Sequence, residues 1–125
     1  MITLLRSNEA DAGADGVLRL ANDVEIASVT LDGVTRIELH FPKFTDGRAY
    51  SQASMLRRRR GFRGDIRATG DVLIDQLVHM ERTGFSSAVL RADQDAATGE
   101  RLLRHYPAFY QGDAVNTAPL FAKAA

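Results

Sequence analysis

The feature that most limits the fold of this chain is an internal repeat of about two dozen residues. Residues 59–62 (RRGF) are similar to residues 82–85 (RTGF), and residues 67–71 (RATGD) are similar to residues 91–95 (RADQD). Both copies place a glycine and an aromatic residue, a short apolar stretch and a polar helix start in the same order. The repeat therefore predicts a β-strand followed by a helix, used more than once.

The first unit begins with a strand over residues 37–41, which are β-branched or aromatic in part. Pro42 ends this strand because proline cannot donate a hydrogen bond to a sheet ladder. Apolar residues then recur at spacings of three and four, as in a helix that ends near Arg60. These residues are Ala49, Tyr50, Ala53 and Leu56.

Two further units follow the same scheme. A strand is predicted over residues 65–69, with a helix from about Asp71 to residue 84, and a second strand over residues 87–91. The last helix is predicted over residues 96–105, before Pro107 stops it. Residues 108–111 are a candidate for one more short strand.

The amino-terminal part is less regular. Two short apolar segments, residues 2–5 and 17–20, are separated by the small and acidic residues 7–16, which we predict to be a surface loop. Asn22 or Asp23 can cap a short helix over residues 24–29.

The predicted helices end on a glycine followed by a phenylalanine, Gly61 with Phe62 and Gly84 with Phe85. Glycine at this position adopts a left-handed conformation, and the residue after it folds back on the last turn. The run of four arginines at residues 57–60 precedes the first of these endings. Consecutive helical residues point about 100° apart, so we expect the run to be solvated and to complement the helix dipole.

Strands that alternate with helices predict parallel pairing with right-handed crossovers, and sheets of this kind are usually covered on both faces. The predicted fold is therefore a single α/β domain over residues 1–125, with a small, mainly parallel sheet flanked by helices and a carboxyl-terminal tail at 122–125. We expect an open sheet, and half of a (β/α) barrel is the alternative.

Composition excludes several classes of function. The chain contains 125 residues and no cysteine, which excludes disulfides, thiolate metal sites and cysteine nucleophiles. Sixteen basic residues balance sixteen acidic ones, so we expect neither nucleic acid nor membrane as a partner. The sequence has no phosphate-binding loop and no zinc motif, and it identifies no cofactor. We expect a cytoplasmic protein.

Ligands of parallel α/β sheets bind beyond the carboxyl ends of the strands. Three loops at this edge are rich in carboxylate and guanidinium groups: residues 41–48, residues 69–71 and residues 91–95. Together they could bind an anion or a hard cation. The alternative is that Asp46, Asp71 and Asp95 are only helix caps, and that Asp46 and Arg48 form a buried ion pair.

The residues of these loops also occur in longer strings: FP-FTDGR-YS-A from residue 41, RGDIRA-GDVL-DQL from residue 63 and RAD-D from residue 91. These strings resemble the bacterial DUF934 family over about residues 37–121. The resemblance implies an accessory role in sulfur assimilation, because genes of the family commonly lie beside those for assimilatory sulfite reductase. It does not imply a mechanism. The cysteine of a family string is Thr83 here, so we expect no thiol role.

Three hypotheses follow. The first is an accessory protein that binds a small anion or sulfite reductase at the carboxyl edge of the sheet, with Arg48 contacting the anion. The second is a small enzyme in which Asp46, Asp71 and Asp95 hold Mg²⁺. The third is a structural module that dimerises, and a homodimer is expected in any case. The predicted ligand-binding residues, with no catalytic residue identified among them, are Asp46, Gly47, Arg48, Tyr50, Arg67, Gly70, Asp71, Asp75 and Gln76.

Overall fold

A computed structural model describes residues 2–6 and 16–105 of the chain. The strands are β1 (Thr3–Leu5), β2 (Val17–Leu20), β3 (Arg36–Phe41), β4 (Asp65–Gly70) and β5 (Ser87–Val89). The helices are α1 (Arg48–Arg58), α2 (Leu77–Thr83) and α3 (Ala96–His105). Short 3-10 helices lie at Ile26–Ser28 and Ile74–Gln76.

The five strands form one parallel sheet in the order β1-β5-β4-β3-β2. The sheet is open, since β1 and β2 are its two end strands. The predictions of an α/β fold and an open parallel sheet are thus confirmed. From β2 to β5 each strand lies beside the next one in sequence, without the reversal of strand order that defines a doubly wound sheet.

The three helices lie side by side on one face of the sheet. Helix α1 packs on β3 and α2, α2 packs on α3, and α3 packs on β1. Right-handed crossovers that always advance in the same direction place successive helices on the same face. The apolar core between sheet and helices includes Ile37, Leu39, Phe41, Leu56, Ile66, Ala68, Leu77, Met80 and Ala88.

The opposite face of the sheet is polar at its central strands β3 and β4. Side chains alternate along a strand, so the residues between the core positions of β3 and β4 point to this face. They are Arg36, Glu38 and His40 on β3, and Asp65, Arg67 and Thr69 on β4. The described helices lie on the other face only, whereas we expected cover on both faces. The strands alternate apolar and polar residues, and such a sheet needs an apolar cover on one side only.

The helix endings of the repeat are confirmed. Gly61 and Gly84 have positive φ angles of 65° and 119°. The amide of Phe62 donates to the carbonyl of Leu56 at 2.9 Å, and the amide of Phe85 donates to that of Met80 at 3.0 Å. Each glycine thus turns the chain from a helix toward the next strand.

The second helix begins later than predicted. The amide of Asp71 donates to the carbonyl of Phe41 at 2.8 Å, and Leu73 is extended, with φ −110° and ψ 149°. The chain therefore bends at Asp71 and is not helical there, and helical structure starts with the 3-10 helix at Ile74–Gln76. Asp71 is not the cap of this helix.

The predicted loop lies outside the described residues except for Gly16, and the candidate strand over 108–111 and the tail at 122–125 lie outside them altogether. The short helix predicted over 24–29 is the 3-10 helix at Ile26–Ser28. None of the described helices has the length and apolar character needed to cross a bilayer.

Candidate functional site

The loop of residues 42–47 leaves the carboxyl end of β3 and is stabilised at its far end by Asp46. One oxygen of this carboxylate accepts a hydrogen bond from Asn22 Nδ2 at 2.5 Å. The other accepts the backbone N–H of Arg48 at 3.0 Å, and the guanidinium of Arg48 lies 3.8 Å away. The Arg48 side chain is 67% exposed, so the two residues do not form the buried ion pair considered from the sequence.

The middle of the same loop is held through the backbone of Phe44. Asp71 Oδ2 accepts the N–H of Phe44 at 2.7 Å, and the side-chain amide of Gln76 donates to the carbonyl of Phe44. Asp71 is held in turn by Arg91, whose Nη1 lies 2.7 Å from Oδ1. Asp46, Asp71 and Gln76 thus do come together around one loop, where they hold the chain in place.

The side chain of Phe44 projects from this loop. Phe44 is 46% exposed, and no other large hydrophobic residue among those described is comparably exposed. Its neighbours Lys43 and Thr45 are exposed too. Phe44 is not among the site residues predicted from the sequence. The available signal was an aromatic residue inside a polar turn between Pro42 and Asp46, where a core residue is not expected.

Arg91 binds two carboxylates at the carboxyl edge of the sheet. It forms two hydrogen bonds with Asp93, at 2.6 and 2.7 Å, in addition to its bond with Asp71. These hydrogen bonds lower the pKa of Asp93 to about 2 and, with the N–H of Phe44, lower that of Asp71. The two carboxylates raise the pKa of Arg91. The charges of Arg91, Asp71 and Asp93 are therefore satisfied within the protein.

We expect Arg91→Gln to raise the pKa of Asp93 from about 2 toward the ordinary value of about 4. In the wild type these depressed pKa values favour folding above the ordinary carboxyl pKa, and that contribution is lost as the pH falls toward 2. A carboxyl-carbon NMR titration measures the pKa directly. Arg104→Gln is the control, since it removes the exposed pair of Arg104 with Glu100. Equal pKa values of Asp93 in both variants would contradict the expectation.

Each of the three carboxylates proposed for Mg²⁺ accepts hydrogen bonds from a different part of the chain. Asp95 accepts the N–H of Ala97 at 3.1 Å and the hydroxyl of Thr98 at 2.8 Å, which makes it the cap of α3. Asp46 and Asp71 each hold their own part of the loop after β3. Within residues 2–6 and 16–105 no three acidic or histidine side chains could share a metal ion. The geometry therefore gives the magnesium hypothesis no support.

Tyr50 and Arg67 do not reach this loop. The ring of Tyr50 packs on Phe41 at 5.0 Å and on His79 at 4.3 Å, and burial raises its pKa to about 12. Arg67 lies on the polar face of the sheet, where Nε donates to the hydroxyl of Ser87 at 3.0 Å and Nη2 to Asp65 at 3.4 Å. Tyr50 is thus a packing residue, and Arg67 belongs to a different surface.

The remaining predicted residues are two glycines and Asp75, which lies away from the loop after β3. Gly70 has a φ angle of 91°, and Gly47 precedes α1, with no atom within 4 Å of the position that a Cβ would take. Asp75 is exposed and lines a cavity of about 380 Å³ with Arg82 and Leu102, between α2 and α3. None of the three contributes a side chain to the loop after β3.

The sequence profile of one family, described as bacterial protein of unknown function (DUF934), matches residues 17–121. The match covers β2 to β5 and all three helices, and so includes the loop that carries Phe44. No curated protein and no solved structure matches the chain.

Proposed function

The chain belongs to the DUF934 family, and from this premise we propose that it is a cytoplasmic accessory protein of bacterial sulfur assimilation. In this role it docks on a partner protein through the carboxyl edge of its sheet. The partner is sulfite reductase, as the resemblance to the family implies. The observation that carries the docking function is the exposed Phe44 on a loop held from both sides.

The hydrogen bonds of the loop favour binding because they fix the backbone before a partner arrives. The Phe44 peptide is bonded to Asp71 and Gln76, and the end of the loop is bonded to Asn22 through Asp46. A binding residue that is already ordered loses little conformational entropy on association. An aromatic side chain that enters a pocket on the partner can provide a large part of the binding energy.

The charges beside Phe44 indicate the chemistry of the partner surface. Lys43 is exposed, and the side chain of Arg48 is 67% exposed with only a 3.8 Å contact to Asp46. The complementary surface is therefore an apolar pocket with acidic residues at its rim. Charges of this kind mainly increase the rate and the specificity of association.

We expect Phe44→Ala to abolish co-purification of the partner while the fold is retained. Removal of a buried interface aromatic typically weakens binding by about 2 kcal/mol or more, which is about thirtyfold. The stability should change by no more than about 0.5 kcal/mol, because the side chain is exposed. The measurement is affinity purification of the tagged protein from its native host, followed by identification of sulfite reductase subunits.

Phe44→Leu is the matched control, because it keeps an apolar side chain on the same backbone and should retain most of the binding. Equal recovery of the partner with Phe44→Ala and the wild type would contradict docking through this loop. The sulfur role is tested separately by deletion of the gene and growth on sulfate as the only sulfur source. Normal growth, together with no recovery of sulfite reductase by the wild-type protein, would contradict it.

Homodimerisation remains a prediction within this proposal. The open sheet supports it, because β1 and β2 are end strands and end strands can pair with a second chain.

A further inference from the structure

A cavity of about 610 Å³ lies at the amino ends of β4 and β5, at the opposite end of the strands from Phe44. We call it the amino-end cavity. Its polar walls are formed by Arg57, Arg63, Arg67, Asp65, Ser86 and Ser87. Its volume is in the range of about 300–1,000 Å³ that is usual for small-molecule sites.

Arg57 brings a positive charge into this cavity without an acidic partner. Its guanidinium donates to the carbonyls of Gly84, Phe62 and Gly64, at 2.9, 3.0 and 2.7 Å. These acceptors are neutral, and no carboxylate of the described residues lies within ion-pair distance. Burial lowers the pKa of Arg57, Asp65 opposes this effect, and the charge of Arg63 adds to it. A partly buried charge of this kind is stabilised by a counterion.

The one carboxylate in the walls, that of Asp65, already has hydrogen-bonding partners in the protein. Asp65 Oδ1 accepts the hydroxyls of Ser86 and Ser87 at 2.5 and 2.8 Å, and Oδ2 lies 3.4 Å from Nη2 of Arg67. With three arginines and one aspartate, the walls carry two net positive charges. The balance of charge therefore favours an anion, in contrast to the carboxyl edge of the sheet.

Arg63 provides the accessible donors. It is exposed, lines the cavity, and makes no hydrogen bond or ion pair with the described residues. Arg67 donates through Nε to Ser87 and through Nη2 to Asp65. These two contacts fix the guanidinium, and its Nη1 has no partner among the described residues. Guanidinium groups bind oxyanions in two-point contacts, which Arg63 can provide, and Arg67 adds the donor Nη1.

We propose that the amino-end cavity binds a small molecule through an oxyanion group, that is a phosphate, sulfate or sulfonate. Arg63 and Arg67 contact the oxygens, and Arg57 provides a fixed positive charge behind them. The cavity is larger than an inorganic ion needs, so the part of the ligand beyond its oxyanion group lies along Phe62. The guanidinium of Arg57 lies 5.9 Å from the centre of the Phe62 ring. This site is independent of docking through Phe44.

The test is titration of the wild-type protein with sodium sulfate, sodium phosphate and phenyl phosphate, at an ionic strength held constant with sodium chloride. Backbone amide NMR signals of Gly64, Ser86 and Ser87 report on the cavity. We expect saturable shifts of these signals, and Arg63→Ala should weaken binding by about tenfold or more. Tighter binding of phenyl phosphate than of inorganic phosphate supports the contact of an organic ligand with Phe62, and equal binding of the two would overturn that contact.

Arg59→Ala is the matched control. Arg59 is exposed, lies at the end of α1 close to Arg63 in sequence, and does not line the cavity. It should change the affinity by less than about twofold, because exposed charges at a distance are screened by salt. Both variants should fold, since both side chains are exposed. The absence of saturable shifts with all three anions would overturn the proposal. Equal affinities of Arg63→Ala and Arg59→Ala would also overturn it.

Discussion

Arg57→Ala should lower the free energy of unfolding by about 4 kcal/mol, the largest effect that we expect from a single substitution in this chain. The side chain donates to the carbonyls of Phe62, Gly64 and Gly84, which lie on two segments far apart in the sequence. Each carbonyl left without a donor costs about 1–3 kcal/mol when it is buried. Urea denaturation measures the change in stability.

Arg58→Ala is the control for this prediction, because Arg58 is the neighbouring residue on α1 and is exposed. It should change the stability by no more than about 0.5 kcal/mol. Arg57→Lys should be intermediate, since an ammonium group has three donors but cannot span the same carbonyls as a planar guanidinium. Similar small losses in Arg57→Ala and Arg58→Ala would show that Arg57 does not connect these segments.

Gly70→Ala should lower the free energy of unfolding by about 3 kcal/mol or more. Gly70 has a φ angle of 91°, and a Cβ atom there would lie 2.4 Å from the carbonyl oxygen of Phe41 and 2.6 Å from His40. The side chain of His40 can move, but the backbone of β3 cannot move without losing its bonds to β4. The conformational strain and the overlap each contribute about 1–3 kcal/mol.

Gly61→Ala separates these two contributions. Gly61 also has a positive φ angle, 65°, but no atom lies within 4 Å of the position of its added Cβ. This variant should lose only the conformational term of about 1–2 kcal/mol. Equal losses in Gly61→Ala and Gly70→Ala would mean that the approach of β3 to Gly70 does not limit stability. Chemical denaturation of both variants under the same conditions decides between these outcomes.

The two proposals, docking through Phe44 and anion binding in the amino-end cavity, concern opposite ends of the sheet. At the carboxyl edge, Asp71 and Gln76 are used to hold the backbone of Phe44, so this edge presents a fixed surface. At the amino edge, Arg57 and Arg63 supply positive charge, and neither forms an ion pair with a carboxylate in the described part of the chain. The predictions for Phe44 and Arg63 can therefore fail independently.

The run of four arginines shows where prediction from the sequence stopped. Arg58 and Arg59 are exposed, as expected. Arg57 and Arg60 instead turn toward the protein, and Arg60 donates to the carbonyls of Ile26 and Val29 at 2.6 and 2.9 Å. Carbonyl groups have no sequence signature, because every residue has one, so these contacts could not be inferred from residue types.

The polar face of the sheet could have been predicted. Residues 36–41 (RIELHF) and 65–69 (DIRAT) alternate charged or polar residues with apolar ones, which is the pattern of a strand with one buried face. Parallel pairing, in contrast, usually implies cover on both sides. The alternation was the stronger signal, and it also placed Arg67 on the face away from the helices.

By itself, the sequence determined the local structure of this protein: the alternation of strand and helix, the left-handed glycines at residues 61 and 84, and the cap at Asp95. These features depend on the φ angles, hydrogen-bonding groups and apolar spacing of residues close together in the chain. Only the tertiary structure decided what the polar residues do. Asp71 bonds to a loop 27 residues earlier, and Arg57 bonds to a carbonyl 27 residues later. Such contacts depend on the order and register of the strands, which bring distant segments within the 3 Å or so of a hydrogen bond.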